Sequence, residues 1–115
     1  MSMHKDLKAV QGDDRFINLT IKLNNIATDI TGWTVWMTIK ENLSDADVGA
    51  KLQKVVTSHV SPTTGVTQIH LTNANTNALD SEYYYDIQVK DDNGYITTLF
   101  YGKIDFTDDR TRSVS

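Results

Sequence analysis

The sequence predicts an all-β fold, an immunoglobulin-like antiparallel β-sandwich of about seven strands. Apolar and polar residues alternate along several stretches of the chain, as they do in strands with one buried and one solvated face. Turn-forming residues separate these stretches at intervals of roughly 8–12 residues. Threonine, valine and isoleucine are abundant, only one proline is present, and no segment has the pattern of a long helix. A closed barrel is the alternative architecture.

The clearest strand lies at residues 79–89. One set of alternate residues is expected to face the core: Tyr83, Tyr85, Ile87 and Val89. The other set is expected to face solvent: Glu82, Tyr84, Asp86 and Gln88. Tyr83 directly follows a turn, which predicts a tyrosine corner whose hydroxyl bonds back to the preceding loop. Leu79 is expected to fill the core below this corner.

Six further strands are predicted from the same alternation, at residues 7–10, 15–23, 33–41, 51–60, 66–71 and 95–107. Their predicted inward residues include Ile17, Leu19, Ile21, Leu23, Trp33, Val35, Met37, Ile39, Ile69, Leu71, Ile96, Thr98, Phe100, Ile104 and Phe106. In the last strand the predicted outward residues are Thr97, Leu99, Tyr101 and Lys103. The strand at 51–60 has no clear register and is expected at a sheet edge. A long polar loop is expected at 42–49.

Turn signals bound these strands. The segment 61–65 contains a proline and ends in glycine, which predicts a turn. Thr72 or Asn73 can cap a short helical turn. The Asn-Gly pair at 93–94 predicts a hairpin, because both residues tolerate positive φ.

Length and charge limit the classes of function. The chain has 115 residues and is expected to form one domain, with an ordered core at about 5–107 and a polar tail at 108–115. Its net charge of −4 argues against nucleic-acid binding, which needs a basic surface. No apolar run reaches the roughly 20 residues of a membrane helix, and the N-terminal residues do not resemble a signal peptide. The absence of cysteine excludes disulfides and thiolate chemistry.

The sequence contains no catalytic constellation, so we expect a protein that is not an enzyme and has no cofactor. Aspartates occur in four pairs, at 13–14, 45 and 47, 91–92 and 108–109, but aspartate is common in turns. No stretch has the spacing of a calcium-binding loop, and Asp45 with Asp47 is the best remaining metal candidate. His4, His59 and His70 lie far apart in the sequence, without a nucleophile motif.

The outward aromatic residues are the best candidates for a functional surface. In this type of sandwich, the third, tyrosine and last strands are neighbours, with the tyrosine strand in the middle. Trp36, Tyr84 and Tyr101 would then share one solvent face, with Leu99 nearby. Exposed apolar patches often mark partner surfaces, and tryptophan and tyrosine are favoured there. Two alternatives stay open: the loop at 42–49 covers Trp36, or the register is shifted by one residue.

The order of these signals resembles the immunoglobulin-like domains of tailed-phage and prophage tail proteins, especially the N-terminal domain of baseplate upper proteins. The resemblance spans nearly the whole chain. Its pieces are Val10-Gln11-Gly12-Asp13, Asp29-Ile30-Thr31-Gly32-Trp33-Thr34-Val35, Gly65-Val66-Thr67-Gln68-Ile69-His70-Leu71-Thr72, Leu79 with Tyr83-Tyr84-Tyr85-Asp86-Ile87, Asp92-Asn93-Gly94-Tyr95-Ile96, Gly102-Lys103-Ile104 and Asp109-Arg110-Thr111-Arg112. The chain departs from these domains at Ser81, where they often carry glycine.

The resemblance implies a structural, non-enzymatic component of a virion. It implies attachment to other tail or baseplate subunits, self-association in a symmetric assembly, and assembly in the cytoplasm of the bacterial host. The chain is then either a short stand-alone member or an attachment domain alone. The alternative hypothesis is a carbohydrate-binding or receptor-binding module that stacks sugar rings on Trp36, Tyr84 and Tyr101.

Overall fold

The computed structural model describes residues 3–23, 25–41, 51–79 and 81–107. These residues form ten strands, a short α-helix and one 3₁₀ turn. The strands are β1 (Met3–His4), β2 (Leu7–Val10), β3 (Arg15–Thr20), β4 (Lys22–Leu23), β5 (Ile26–Ala27), β6 (Thr34–Lys40), β7 (Leu52–Val56), β8 (Val66–Leu71), β9 (Glu82–Lys90) and β10 (Ile96–Thr107). The helix is α1 (Asn73–Asn77), and the 3₁₀ turn is Pro62–Thr64.

The strands form two main layers. The larger sheet has the order β1-β10-β9-β6-β7, and β2 also pairs with β10. The second layer is the antiparallel pair β3–β8, and β4 and β5 form a separate hairpin. This arrangement confirms the all-β sandwich and places the tyrosine strand, β9, between β6 and β10 as predicted. The larger sheet is mixed rather than purely antiparallel, because β1 and β2 run parallel to β10.

The count of ten strands exceeds the predicted seven for local reasons. The predicted strand at 15–23 is divided at Ile21, whose N–H donates to the Gly65 oxygen at 2.8 Å and whose oxygen accepts from the Thr28 N–H at 3.0 Å. The two-residue strands β1 and β5 are additional. Asn25 has a positive φ of 65° in the β4–β5 turn.

The core lies between the two layers and follows the predicted alternation. Every second residue of β9 is buried, and Val35, Met37, Thr38 and Ile39 of β6 are fully buried. Trp33 is half-buried and packs against this cluster. The largest fully buried apolar side chains are Ile21, Ile30, Val35, Met37, Ile39, Ile69, Leu71, Ile87 and Ile104. The predicted inward sets of β3, β6, β8 and β9 are therefore confirmed where their side chains are described.

The predicted turns also form. Thr72 caps α1 with a capping box: its hydroxyl accepts from the Asn75 N–H, and the Asn75 side chain accepts from the Thr72 N–H. Gly65 ends the 3₁₀ turn at a φ of 79°, and a Cβ at this position would lie 2.6 Å from the Ile21 oxygen. Only glycine fits this conformation and this close approach.

The prediction for the last strand is wrong in its first half. The register of β10 against β9 shifts between Thr98 and Phe100, which is a β-bulge. Before the shift, Ile96 and Thr98 pair with Lys90 and Gln88 on the outer face. The predicted inward Ile96 is 57% exposed, and the predicted outward Leu99 is buried.

The predicted edge position of the 51–60 strand is confirmed, because β7 lies at the end of the larger sheet. The predicted loop at 42–49, with the candidate metal ligands Asp45 and Asp47, lies outside the described residues. The predicted polar tail at 108–115 lies outside them as well.

Candidate interaction face

Trp36, Tyr84 and Tyr101 lie on the outer face of the larger sheet. Trp36 on β6 is opposite Gln88 on β9, and Tyr101 on β10 is opposite Asp86 on β9. Directly opposed residues of antiparallel strands share a face. Because Tyr84, Asp86 and Gln88 alternate with the buried residues of β9, all three aromatic residues are on the side away from the core. We call this surface the aromatic face.

Polar residues separate the rings of the aromatic face. Tyr84 and Tyr101 are diagonal neighbours on adjacent strands, a spacing of roughly 7–8 Å between backbones. Trp36 lies one cross-strand row from Tyr101, with Asp86 and Gln88 of β9 between their strands, and it lies two rows from Tyr84. The Gln88 amide donates to the Thr98 hydroxyl at 3.0 Å. The surface is therefore a polar sheet face that carries separated rings, rather than one continuous apolar patch.

Neighbouring side chains cover part of the two tyrosines. The Lys103 ammonium lies 5.8 Å from the centroid of the Tyr84 ring, which is within cation–π range, and it also pairs with Glu82 at 3.6 Å. The His4 ring lies 5.3 Å from the Tyr101 ring. Tyr84 is half-buried as a result, whereas Tyr101 is 46% exposed.

Val55 extends the aromatic face at the sheet edge. It pairs with Trp36 in the β6–β7 ladder and is 61% exposed. Trp36 itself is half-buried. The exposed Val55 on the edge strand β7, together with the half-buried Trp36 beside it, is the most apolar part of this surface. Val55 could not be placed on this face from the sequence, because the register of its strand is unclear from the sequence pattern.

Leu99 does not belong to the aromatic face. It is 7% exposed and is part of the hydrophobic core. The prediction extended one alternation through the whole of β10, and the bulge breaks that alternation. The other three predicted residues, Trp36, Tyr84 and Tyr101, share the face as predicted, and their role as an interface stays a prediction.

The corner residues Leu79 and Tyr83 are both buried, at 4% and 7% exposure. The Tyr83 ring packs edge-on against Phe106, with the ring centroids 6.0 Å apart. Asp80, in the loop to which the Tyr83 hydroxyl was expected to bond, lies outside the described residues. The predicted corner bond therefore stays a prediction.

Tyr85 has a structural role that the sequence did not reveal. Its hydroxyl donates to the Lys5 carbonyl oxygen, in the link between β1 and β2. Burial, followed by the nearby charge of Asp6, raises the pKa of Tyr85 to about 12. Gly102 allows the same link to approach the sheet, since a Cβ there would overlap the Lys5 oxygen.

Asp6 completes the attachment of this link. One of its carboxylate oxygens accepts from the Lys103 N–H at 3.0 Å and lies 3.2 Å from the His4 imidazole. The Lys103 N–H is the main cause that lowers the pKa of the Asp6 carboxyl below its ordinary value, and His4 contributes less. The β1–β2 link is thus fixed by one tyrosine hydroxyl and one carboxylate.

The three histidines remain apart. His59 bridges the Trp33 oxygen and the Thr67 hydroxyl, at 2.8 Å each. His70 pairs with Asp14 at 3.0 Å and stacks on Phe16. No group of three or more histidine, aspartate or glutamate side chains that could hold a metal ion occurs among the described residues. In the same part of the chain, no helix is long and apolar enough to cross a membrane.

A cleft of about 360 Å³ opens between β3 and the β1–β2 side of the larger sheet. Its walls include side chains of both layers: Lys5, Leu7, Arg15, Ile17, Leu19, Tyr85, Ile87 and Phe100. The Arg15 guanidinium closes one end, because it donates to the Lys8 oxygen at 3.1 Å and to the Phe16 oxygen at 2.6 Å.

No protein-family model matches the chain, and no curated protein matches it at a significant level.

Proposed function

We propose that this protein is a non-enzymatic structural component of a phage or prophage tail or baseplate. In this proposal it is an attachment or oligomerisation domain that acts through protein–protein contacts, with other tail subunits or further copies of itself as partners. It is incorporated in the virion after assembly in the cytoplasm of the bacterial host. The tail or baseplate setting rests on the sequence resemblance described above.

The aromatic face is the observation that carries the attachment role. Trp36, Tyr84 and Tyr101 share one outer sheet face, and the exposed Val55 lies beside Trp36. Large aromatic side chains supply much of the binding energy of protein interfaces when a partner buries them. The polar residues between the rings suit an interface with several hydrogen bonds rather than a dry one.

Substitution of Trp36 and Tyr84 tests self-association through this face. We expect the wild-type protein to form oligomers in sedimentation experiments, and Trp36→Ala and Tyr84→Ala to shift the population towards monomers. Removal of a central interface aromatic typically costs about 2 kcal/mol or more, which is about thirtyfold in the dissociation constant. Tyr95→Ala is the control, since Tyr95 is 70% exposed and lies in the β9–β10 loop. Monomeric profiles for wild type and variants alike would remove self-association as the mechanism.

A carbohydrate-binding or receptor-binding module is the second candidate function. The interleaving of rings with polar side chains favours it, because Gln88 and Asp86 of β9 lie between Trp36 and Tyr101. Sugars bind to such surfaces by stacking on rings and by hydrogen bonds to amides and carboxylates. Saturable quenching of tryptophan fluorescence by a saccharide, lost in Trp36→Ala, would favour this candidate. Trp33 is the second tryptophan, so the variant retains an internal reference.

A further inference from the structure

The side of β3 that faces away from β8 is an unpaired sheet edge within the described residues. Past the end of β3, the Ile21 N–H points towards the β8 side and donates to the Gly65 oxygen. Backbone groups of an antiparallel strand alternate in direction. The N–H and C=O groups of Phe16, Asn18 and Thr20 therefore point away from β8, and we call them the outer edge of β3. No described strand pairs with this edge.

The cleft lies along this edge. The outer-edge residues line it on one side, and apolar side chains such as Leu7, Ile87 and Phe100 line it on the other. The six residues of β3 span about 20 Å. An unpaired strand edge is a template for another strand. Here the template has a cleft of mixed polarity beside it, whose apolar wall can contact alternate side chains of an added strand.

Two cations line the cleft. Lys5 and Arg15 are both lining residues, and neither forms an ion pair with a carboxylate of the described residues. The chain as a whole carries a net charge of −4. Positive charge at this site therefore contrasts with the rest of the molecule and complements a negatively charged partner. A second copy that paired through the same edge would instead bring the same two cations into one interface.

We propose that the outer edge of β3 binds an extended, acidic segment of a partner protein as an added strand. The backbone of the segment bonds to the N–H and C=O groups of Asn18 and Thr20. Its apolar side chains enter the cleft, and its carboxylates lie near Lys5 and Arg15. This inference rests on the proposed attachment role, but it concerns a different surface from the aromatic face.

Amide hydrogen exchange and a model peptide test the site directly. The probe is a short blocked peptide of alternating valine and glutamate, and its counterpart carries lysine in place of glutamate. In the isolated protein we expect the Asn18 and Thr20 amides to exchange fast, while the Ile17 and Leu19 amides are protected by β8. The glutamate peptide should slow exchange at Asn18 and Thr20 by about tenfold or more, because strand pairing protects the amides it engages. The lysine peptide should have no such effect.

Two pairs of variants locate the binding. Asn18→Pro removes an outward N–H and should abolish peptide binding, whereas Asn18→Ala keeps that N–H and should bind. Both variants lose the hydrogen bond from Gln68 to the Asn18 side chain, so they differ only in the backbone. Lys5→Glu should weaken binding about three- to tenfold by reversing one rim charge. Lys8→Glu makes the same charge change on the other side of β2, where Leu7 and Ala9 are buried and Lys8 is exposed, and should bind as wild type does.

Several outcomes would overturn the proposal. Asn18 and Thr20 amides that are already protected in the isolated monomer would show that the edge is covered by the chain's own residues. Protection that appears only as the protein concentration rises would assign the edge to a second copy. Equal binding of both peptides, or of neither, would refute an acidic strand.

If Asn18→Pro fails to fold, the comparison of Lys5→Glu with Lys8→Glu decides whether the peptide binds at this site. Loss of oligomers in Trp36→Ala is independent of these results, so failure of the aromatic face and failure of this site are distinguishable.

Discussion

Tyr85 connects the N-terminal segment to the sheet through its phenolic hydroxyl. The hydroxyl donates to the Lys5 oxygen, and the absence of a side chain at Gly102 leaves space for the same carbonyl. The Lys5 N–H in turn donates to the Tyr101 oxygen at 2.9 Å. These contacts position Lys5 beside the cleft and place Tyr101 next to the N-terminal strand. One inward tyrosine thus supports both candidate surfaces.

Tyr85→Phe should destabilise the fold in a pH-dependent way. At neutral pH we expect a loss of about 1 kcal/mol in the free energy of unfolding, the usual value of one hydrogen bond. The pKa of Tyr85 is raised to about 12 in the folded state, against about 10 in an unfolded chain. The folded state therefore favours the protonated phenol. This contribution is fully present below pH 10 and is lost as the pH rises from about 10 to about 12.

Urea unfolding of wild type and Tyr85→Phe between neutral and alkaline pH measures this effect. The difference in unfolding free energy should be constant up to about pH 10 and should shrink above it, because the unfolded wild type ionises there. Tyr95→Phe is the control, since Tyr95 is exposed, and its difference from wild type should be near zero. A Tyr85→Phe difference that does not change with pH would contradict the assigned bond.

The bulge in β10 decides which residues of that strand reach the solvent. Before it, Thr97 is opposite the buried Val89, and after it, Phe100 is opposite the buried Ile87. Two inward positions an odd number of residues apart cannot occur in one regular strand. The bulge at Leu99 reconciles them and returns Tyr101 to the outer face. Without the bulge, the part of β10 that pairs with β2 and the part next to the hairpin turn could not both place their inward side chains on the core.

Truncation of Leu99 and Ile96 tests the bulge. Leu99→Ala should lower the free energy of unfolding by about 2–4 kcal/mol, because a buried leucine leaves a cavity. Ile96→Ala should change it by less than about 0.5 kcal/mol, because Ile96 is an exposed residue without a special role. Thermal or urea denaturation of the two variants gives the comparison. A larger loss of unfolding free energy in Ile96→Ala than in Leu99→Ala would indicate regular alternation along β10 and would contradict the bulge.

At the scale of the whole molecule, most of the fold followed from alternation. The inward residues of β6, β8 and β9 were predictable because each strand has one face on the core and no bulge in the described residues. The tyrosine strand was placed correctly between its neighbours. Trp36, Tyr84 and Tyr101 were grouped on one face for the same reason.

The remaining features depend on contacts that alternation does not encode. The sequence contains a signal for the bulge at Leu99. The hairpin turn fixes Thr97 opposite Val89, while Phe100 and Ile104 also need to face the core. The parallel pairing of β1 and β2 with β10 had none, because it depends on how the Lys5–Asp6 link runs along the edge of β10. The cleft beside β3 follows from that pairing, so it was not predictable either.

The abundance of the chain in purified tail particles tests the proposed function most directly. Particles from a host that produces the wild-type protein should contain it in a fixed ratio to the other tail proteins, measured by quantitative mass spectrometry. A variant with both Trp36→Ala and Tyr101→Ala should fold but be incorporated at roughly a tenth of that level or less, if the two substitutions together cost at least about 1.4 kcal/mol. Particles that contain none of the wild-type protein, or equal amounts of wild type and variant, would contradict the account.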